Sequence, residues 1–291
     1  MNVSRGDRIS VAIVGAQKAA TTAAIAWLGQ HAELAAQEFR DIRYFTDDSE
    51  YAKGFEACRK LYFAGSTPDE FLVAKHANLW SLPTGLRRLA EHNPDVLVCV
   101  ILRDPVERAL SAFRFAESEG WESAGSVRQS VEGRGRRTRA PAAGEFLDYL
   151  GNGYYAQRLK DVYVHFPARN VYVVFESDLV SNPAAAFSSL LQRLQISPIE
   201  GKLPRVNQTG GQRSAILGKI LLAPELKKFT RRMLPARMRR NLRYRLLGWN
   251  SSGPRAARSD VEDREWLAEY YRPRDAELRD LLGVSALPWD E

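Results

Sequence analysis

Cysteine is scarce. The 291-residue chain has two, Cys58 and Cys99, and no Cys-x-x-Cys pair. That argues against a disulfide framework and a cysteine-rich zinc site, and it fits a reducing, cytoplasmic setting. The four histidines, His31, His76, His92 and His165, show no metal-ligand spacing, so no metal is expected. Long hydrophobic runs are missing: none approaches the roughly 18 residues of a membrane span. The first ten residues, MNVSRGDRIS, lack the apolar stretch of a secretory signal. No repeat of solenoid period occurs. What remains is an ordinary globular composition, 45% hydrophobic and 26% charged, long enough for one large domain spanning 1–291.

Positive charge is present but local. Residues 219–245 hold ten Lys or Arg against one Glu, a charge of +9, which leaves the rest of the chain at −2 out of a total of +7. Such a balance argues against a chain-wide nucleic-acid surface. It leaves a basic patch that is either a solvated face of packed helices, a cover over a substrate cleft, or a peripheral contact with an anionic membrane.

Apolar runs alternate with helical stretches. ISVAIV (9–14), EFLVAKH (70–76), DVLVCVILRD (95–104) and NVYVVFESDL (170–179) read as strands. Helices are expected over 21–31, 51–63, 82–92, 105–118, 145–166 (with a glycine break) and 182–196, followed by a helical carboxy-terminal part over 219–283. Continuous apolar strands separated by helices imply a three-layer α/β domain with a central parallel sheet. The Gly-, Ser- and Arg-rich stretch 119–145 interrupts the pattern and reads as either a functional flap or a partly disordered segment, its Arg134, Arg136, Arg137 and Arg139 forming a gate or a solvated loop. Trp27 and Trp80 read as core, and Tyr154 and Tyr155, at a helix start, as core or as the lining of an acceptor pocket.

The first strand runs into GAQKAATT (15–22). A strand, a turn and a helix amino terminus gather backbone N–H groups and the positive dipole end at one point suited to a phosphate-type anion. Lys18 adds charge, and Thr21 and Thr22 add hydroxyls. The nucleotide-triphosphatase pattern G-x-x-x-x-G-K-[ST] is not met: the lysine is displaced, Ala20 stands where a glycine would, and nothing follows the lysine in the magnesium role. In isolation the loop is equally an ordinary strand-to-helix turn. A second stretch, LRDPVERALSAF (102–113), leaves a strand with Arg103 and carries Ser111 two helical turns on, so that both can face one anion.

The two stretches, in this order and spacing, resemble the sulfotransferases that use 3′-phosphoadenosine 5′-phosphosulfate (PAPS), in particular their carbohydrate, heparan-type branch. The resemblance implies a P-loop-like α/β fold without a metal requirement. It implies that Gln17, Lys18, Ala19, Ala20, Thr21 and Thr22 hold the 5′-phosphosulfate, that Arg103 and Ser111 hold the 3′-phosphate, and that the loop RVNQTGGQRS (205–214) contributes Gly210, Gln212 and Arg213. QHAELAAQEFRDIRYF (30–45) is similar to the segment carrying the catalytic base, which puts Asp41 at that position and Arg40 at its lysine, with Glu38 as a rival. VAKHANLW (73–80) stands where the family has a Glu-Lys-Ser/Thr-Pro run, so Lys75 inherits a place near the sulfuryl group. His76 is a third candidate base, against its reading as a packed or capping histidine. The expected activity is sulfuryl transfer to a hydroxyl of a small molecule, carbohydrate or lipid-linked glycan. The competing classes are a P-loop small-molecule kinase and a non-catalytic basic module binding membrane or nucleic acid.

Overall fold

Every residue of Ile9–Gly15 is buried, alternate positions included, so this strand (β1) is covered on both faces. The same holds for β3 (Phe71–Lys75) and β4 (Leu97–Leu102). With β2 (Leu34–Ala36) and β5 (Val171–Phe175) they form a five-stranded sheet in the order β2-β3-β1-β4-β5. All four pairings are parallel. The protein is described as a computed structural model over residues 3, 5–37, 41–134, 144–204 and 260–290. Expectations placed on Glu38, Arg40, Arg136, Arg137, Arg139, Gly210, Gln212, Arg213 and the basic segment 219–245 lie outside these residues.

The helices among them are α1 (Thr21–Leu28), α2 (Asp48–Tyr51), α3 (Gly54–Tyr62), α4 (Pro83–His92), α5 (Pro105–Ser118), α6 (Val127–Val131), α7 (Tyr155–His165), α8 (Glu176–Ser181), α9 (Pro183–Ala186), α10 (Ser188–Leu194) and α11 (Asp260–Leu282). Proline opens α4, α5 and α9, where its fixed φ suits the first helical turn and its missing N–H costs nothing. α1 packs on β2 and β3, and its Trp27 stacks on Phe187 at 5.7 Å. A second hydrophobic cluster joins α5, α6 and α11 through Leu110, Phe113, Val127, Leu267 and Tyr271. No described helix is long and apolar enough to cross a membrane.

The structure departs from the sequence reading in four places. β2 is a three-residue strand that the pattern did not flag. The strand expected over 170–179 stops at Phe175, because Glu176 and Asp178 open α8, where acidic residues favour a helix amino terminus. The helix expected over 145–166 is two 3-10 turns, Gly144–Leu147 and Gly151–Gly153, followed by α7. A Cβ on Gly153 would stand 2.6 Å from the Tyr271 hydroxyl, so the glycine permits the close approach of α11. The described half of the expected flap, 119–134, is folded: buried Glu122 accepts from the N–H groups of Ser123 and Ala124, both at 2.9 Å, and from the Ser130 hydroxyl. Asp263 of α11 accepts from the Val127 N–H at 2.7 Å, tying α6 down.

Candidate active site

In a parallel sheet, ligands bind beyond the carboxyl ends of the strands, where the strand order reverses. Here that point is β1, with β3 on one side and β4 on the other. The loops leaving these three strands carry Lys18, Lys75 and Arg103.

The β1–α1 loop is tightly bent. The Ala16 N–H donates to the Ile101 carbonyl at 2.9 Å, and Lys18 and Ala20 have φ of 67° and 55°. Ala20 thus keeps the left-handed backbone for which glycine is the usual residue, at a cost of about 1–2 kcal/mol. Thr21 and Thr22 begin α1, whose first turn has no acidic residue and no side-chain cap on its amides. Those N–H groups are an anion site in waiting. Gly15 lies under Trp80, and a Cβ there would meet the indole ring at 2.5 Å.

Arg103, at the end of β4, reaches back to this loop. Its Nη1 donates to the Lys18 carbonyl at 3.1 Å. The Tyr155 hydroxyl holds the Arg103 carbonyl at 2.7 Å, while Glu107 and Glu176 stand 3.9 and 4.0 Å from its guanidinium. The two stretches therefore meet at one place. Ser111 lies buried on α5, and Ala19 is buried within the loop.

The electrostatics of the site favour an anion. Burial, then the nearby Arg103, lower the Lys18 ammonium to about 8, with Glu119 opposing them. Lys18 pairs with no carboxylate among the described residues; its Nζ rests 4.4 Å from the centre of the Phe115 ring. Gln17 is 3% exposed, and neither its amide nitrogen nor its carbonyl has a partner there. A buried amide left unpaired costs about 1–3 kcal/mol, so it calls for a ligand group or water. Cations close together, free helix amides and an unpaired amide all fit a phosphorylated ligand.

The loop after β2 supplies the acid. The Lys75 carbonyl accepts from Gln37 Nε2 and from the Ile42 N–H, both at 2.9 Å, and the Lys75 N–H donates to Gln37 Oε1 at 2.7 Å. This clamp fixes residue 41 beside the end of β3, where Lys75 Nζ donates to Asp41 Oδ1. Burial pushes the Asp41 carboxyl up, but the Lys75 charge, His76 and an N–H from Ala77 outweigh it and hold the group below the usual carboxylate range. His76 is lowered, chiefly by burial, and stays neutral; its Nδ1 accepts from the Asn78 N–H at 3.3 Å, a turn-closing contact. Trp80 and Tyr155 are core residues, in contact with each other. The sequence reading missed Gln37, Tyr155 as the brace of Arg103, and Phe115.

A central parallel sheet whose strand-end loops gather two cations and a helix amino terminus is an α/β fold with an anion site at its strand ends. The backbone is similar to the crystal structure of a sulfotransferase from Alicyclobacillus acidocaldarius, with a TM-score of 0.64 and 17% identity, covering 98% of this chain and 99% of that one. In sequence the chain is 25% identical over 281 residues to bifunctional heparan sulfate N-deacetylase/N-sulfotransferase 1 of Xenopus tropicalis, and 26% identical over 284 residues to the human enzyme 2. These alignments cover 93% and 95% of this chain but 29% and 30% of the relatives, so the chain spans under a third of their length. No protein-family model matches. In backbone the chain is thus similar to a sulfotransferase, and in sequence to a part of N-deacetylase/N-sulfotransferases.

Proposed function

We propose that the protein transfers the sulfuryl group of PAPS to a hydroxyl or amine of a small molecule or carbohydrate. The carrying observation is the meeting of Lys18 and Arg103 across 85 residues of sequence. The nucleotide supplies the activated sulfur. Lys18, Gln17 and the amides of Ala19, Ala20, Thr21 and Thr22 would hold its 5′-phosphosulfate end, and Arg103 with Ser111 its 3′-phosphate. Gly210, Gln212 and Arg213 belong to this proposal by resemblance alone.

Transfer forms a bond from sulfur to the acceptor oxygen or nitrogen and breaks the bond from sulfur to the bridging phosphate oxygen. That oxygen keeps the electron pair, and the acceptor's proton must go to a base. Positioning and charge stabilisation do most of the work. Lys18 faces the charge that grows on the leaving oxygen. Asp41 takes the proton. In the resting pair Lys75 holds Asp41 ionised but weakly basic; as Lys75 turns to the sulfuryl oxygens, the carboxylate regains basicity where it is needed. The buried, unpaired cysteines Cys58 and Cys99 fit a reducing compartment, in keeping with a cytoplasmic enzyme.

The test is calorimetric titration with 3′-phosphoadenosine 5′-phosphate (PAP). We expect binding by the wild type and at least roughly tenfold weaker binding by Lys18→Ala and by Arg103→Ala, the loss of one charge-assisted contact each. Wild-type affinity in both variants would overturn the assignment of the site.

A further inference from the structure

Arg103 is crowded by charge of both signs. Glu107 Oε2 lies 3.9 Å from its Nη2, and Glu176 Oε2 lies 4.0 Å from its Nε. Asp104, the amino cap of α5, and Lys18 are also close enough to feel its charge. Neither glutamate is within hydrogen-bond distance of the guanidinium. For Glu107 this calls for a cause. A glutamate four residues after an arginine can reach it, and a carboxylate closes readily on a guanidinium fork.

A second arginine supplies the cause. Glu107 Oε1 accepts from Arg264 Nη1, which comes from α11, 157 residues away in sequence. α11 packs along α5, and its Asp263, next to Arg264, is buried and bonded to the Val127 N–H. Arg264 is therefore placed by the helix packing and not by the β4–α5 loop. One oxygen of Glu107 belongs to Arg264, and the other faces Arg103 at arm's length. Without the Arg264 charge, Glu107 would be drawn onto Arg103. An incoming phosphate would then have to displace a carboxylate and approach its negative charge. Glu107 and Arg103 are 27% and 26% exposed, so solvent screens only part of this repulsion.

We propose that Arg264 is a positioning residue for the nucleotide: by engaging Glu107 it keeps the Arg103 guanidinium open to the 3′-phosphate. The inference rests on the reading of Arg103 as the 3′-phosphate arginine. Arg264 itself touches no phosphate and no reacting atom. Its effect passes through one carboxylate, and removing that carboxylate makes Arg264 dispensable for binding.

The experiment is calorimetric titration of PAP at low ionic strength into wild type, Arg264→Gln, Arg264→Lys, Glu107→Gln and the double variant Arg264→Gln/Glu107→Gln, with the thermal midpoint of each protein read alongside. Arg264→Gln should weaken PAP binding roughly fivefold, the upper end of what a part-exposed ion pair is worth. Arg264→Lys keeps the charge and should stay within about twofold of wild type. The double variant should also return to within about twofold of wild type, a coupling that independent sites would not show. Wild-type affinity in Arg264→Gln overturns the proposal. So does a double variant as weak as Arg264→Gln, which would make Arg264 a direct contact or a mere support of the fold. If Arg264→Gln does not fold, Arg264→Met, which keeps the packing of the stem, takes its place with and without Glu107→Gln. A wild type that does not bind PAP, or binding that Arg103→Ala leaves untouched, would instead sink the reading of Arg103, and this inference with it.

Discussion

Lys18 is pulled two ways. Burial and Arg103 disfavour its charge and lower the ammonium to about 8, yet the proposed chemistry needs that charge. Two consequences follow with opposite signs. Between pH 8 and 10.5 the unfolded chain holds a proton on this lysine that the folded protein has released, so stability should rise with pH across that window. Chemical denaturation at pH 8 and pH 10 should show the rise in the wild type and less of it in Lys18→Met. Nucleotide capture should instead fall as pH rises through about 8, the value in the free protein that kcat/KM reports. Lys18→Arg, charged throughout, should move that limb upward; an unmoved limb assigns it to another group. Asp41 gives the complementary case. Its carboxyl lies below the usual range, so it is ionised at neutral pH, and the stability of its pair with Lys75 is lost only as pH falls through that lowered value. Asp41→Asn should lower single-turnover transfer about 10²- to 10⁴-fold with little change in PAP affinity. A near-normal rate would pass the role to another group, with Glu38 and His76 next in line.

Contacts between elements far apart in sequence are where sequence and structure part. Asp263 of α11 accepts from the N–H groups of Val127 and Arg128, at 2.7 and 3.3 Å, and so serves α6 as a capping acceptor supplied from another helix. Asp263→Ala should cost about 1–2 kcal/mol, read as a lower denaturation midpoint, and should expose 119–134 to protease; a neutral substitution would show that α6 holds without it. No local rule reveals such a cap, since its donor and acceptor are 136 residues apart. β1, β3 and β4 were legible because burial on both faces leaves them mostly apolar, and β5 because its run VYVVF is β-branched and aromatic. β2 was not, because three residues carry no period. The lysine loop and Arg103 were legible because strand, turn and helix chemistry is local. The Asp41–Lys75 pair was only half legible: resemblance supplied the residues, but their contact depends on the Gln37 and Ile42 hydrogen bonds to the end of β3. Phe115 was hidden by helix α5, whose amphipathic pattern reads it as packing.

For the molecule as a whole, an unpaired Gln17 amide, a strained loop at Lys18 and Ala20 and two neighbouring cations all lie at the crevice beside β1, and the proposed nucleotide would answer them. A ligand that binds only the folded chain stabilises it by mass action, about 2.7 kcal/mol at a hundred times its dissociation constant. For a chain of this length, with unfolding entropy near 2.1 cal/mol/K per residue, that is a rise of about 4 °C in Tm. PAP should produce the rise in the presence of EDTA, because the described donors are lysine, arginine, glutamine, threonine and backbone amides, all suited to phosphate oxygens. A kinase built on the same sheet would answer to ATP with magnesium, and a basic module without a nucleotide crevice would answer to neither. A scan with all three conditions therefore separates the classes before any acceptor is known: a shift with ATP and magnesium and none with PAP would place the protein among the kinases, despite the displacement of Lys18 from the triphosphate-binding pattern.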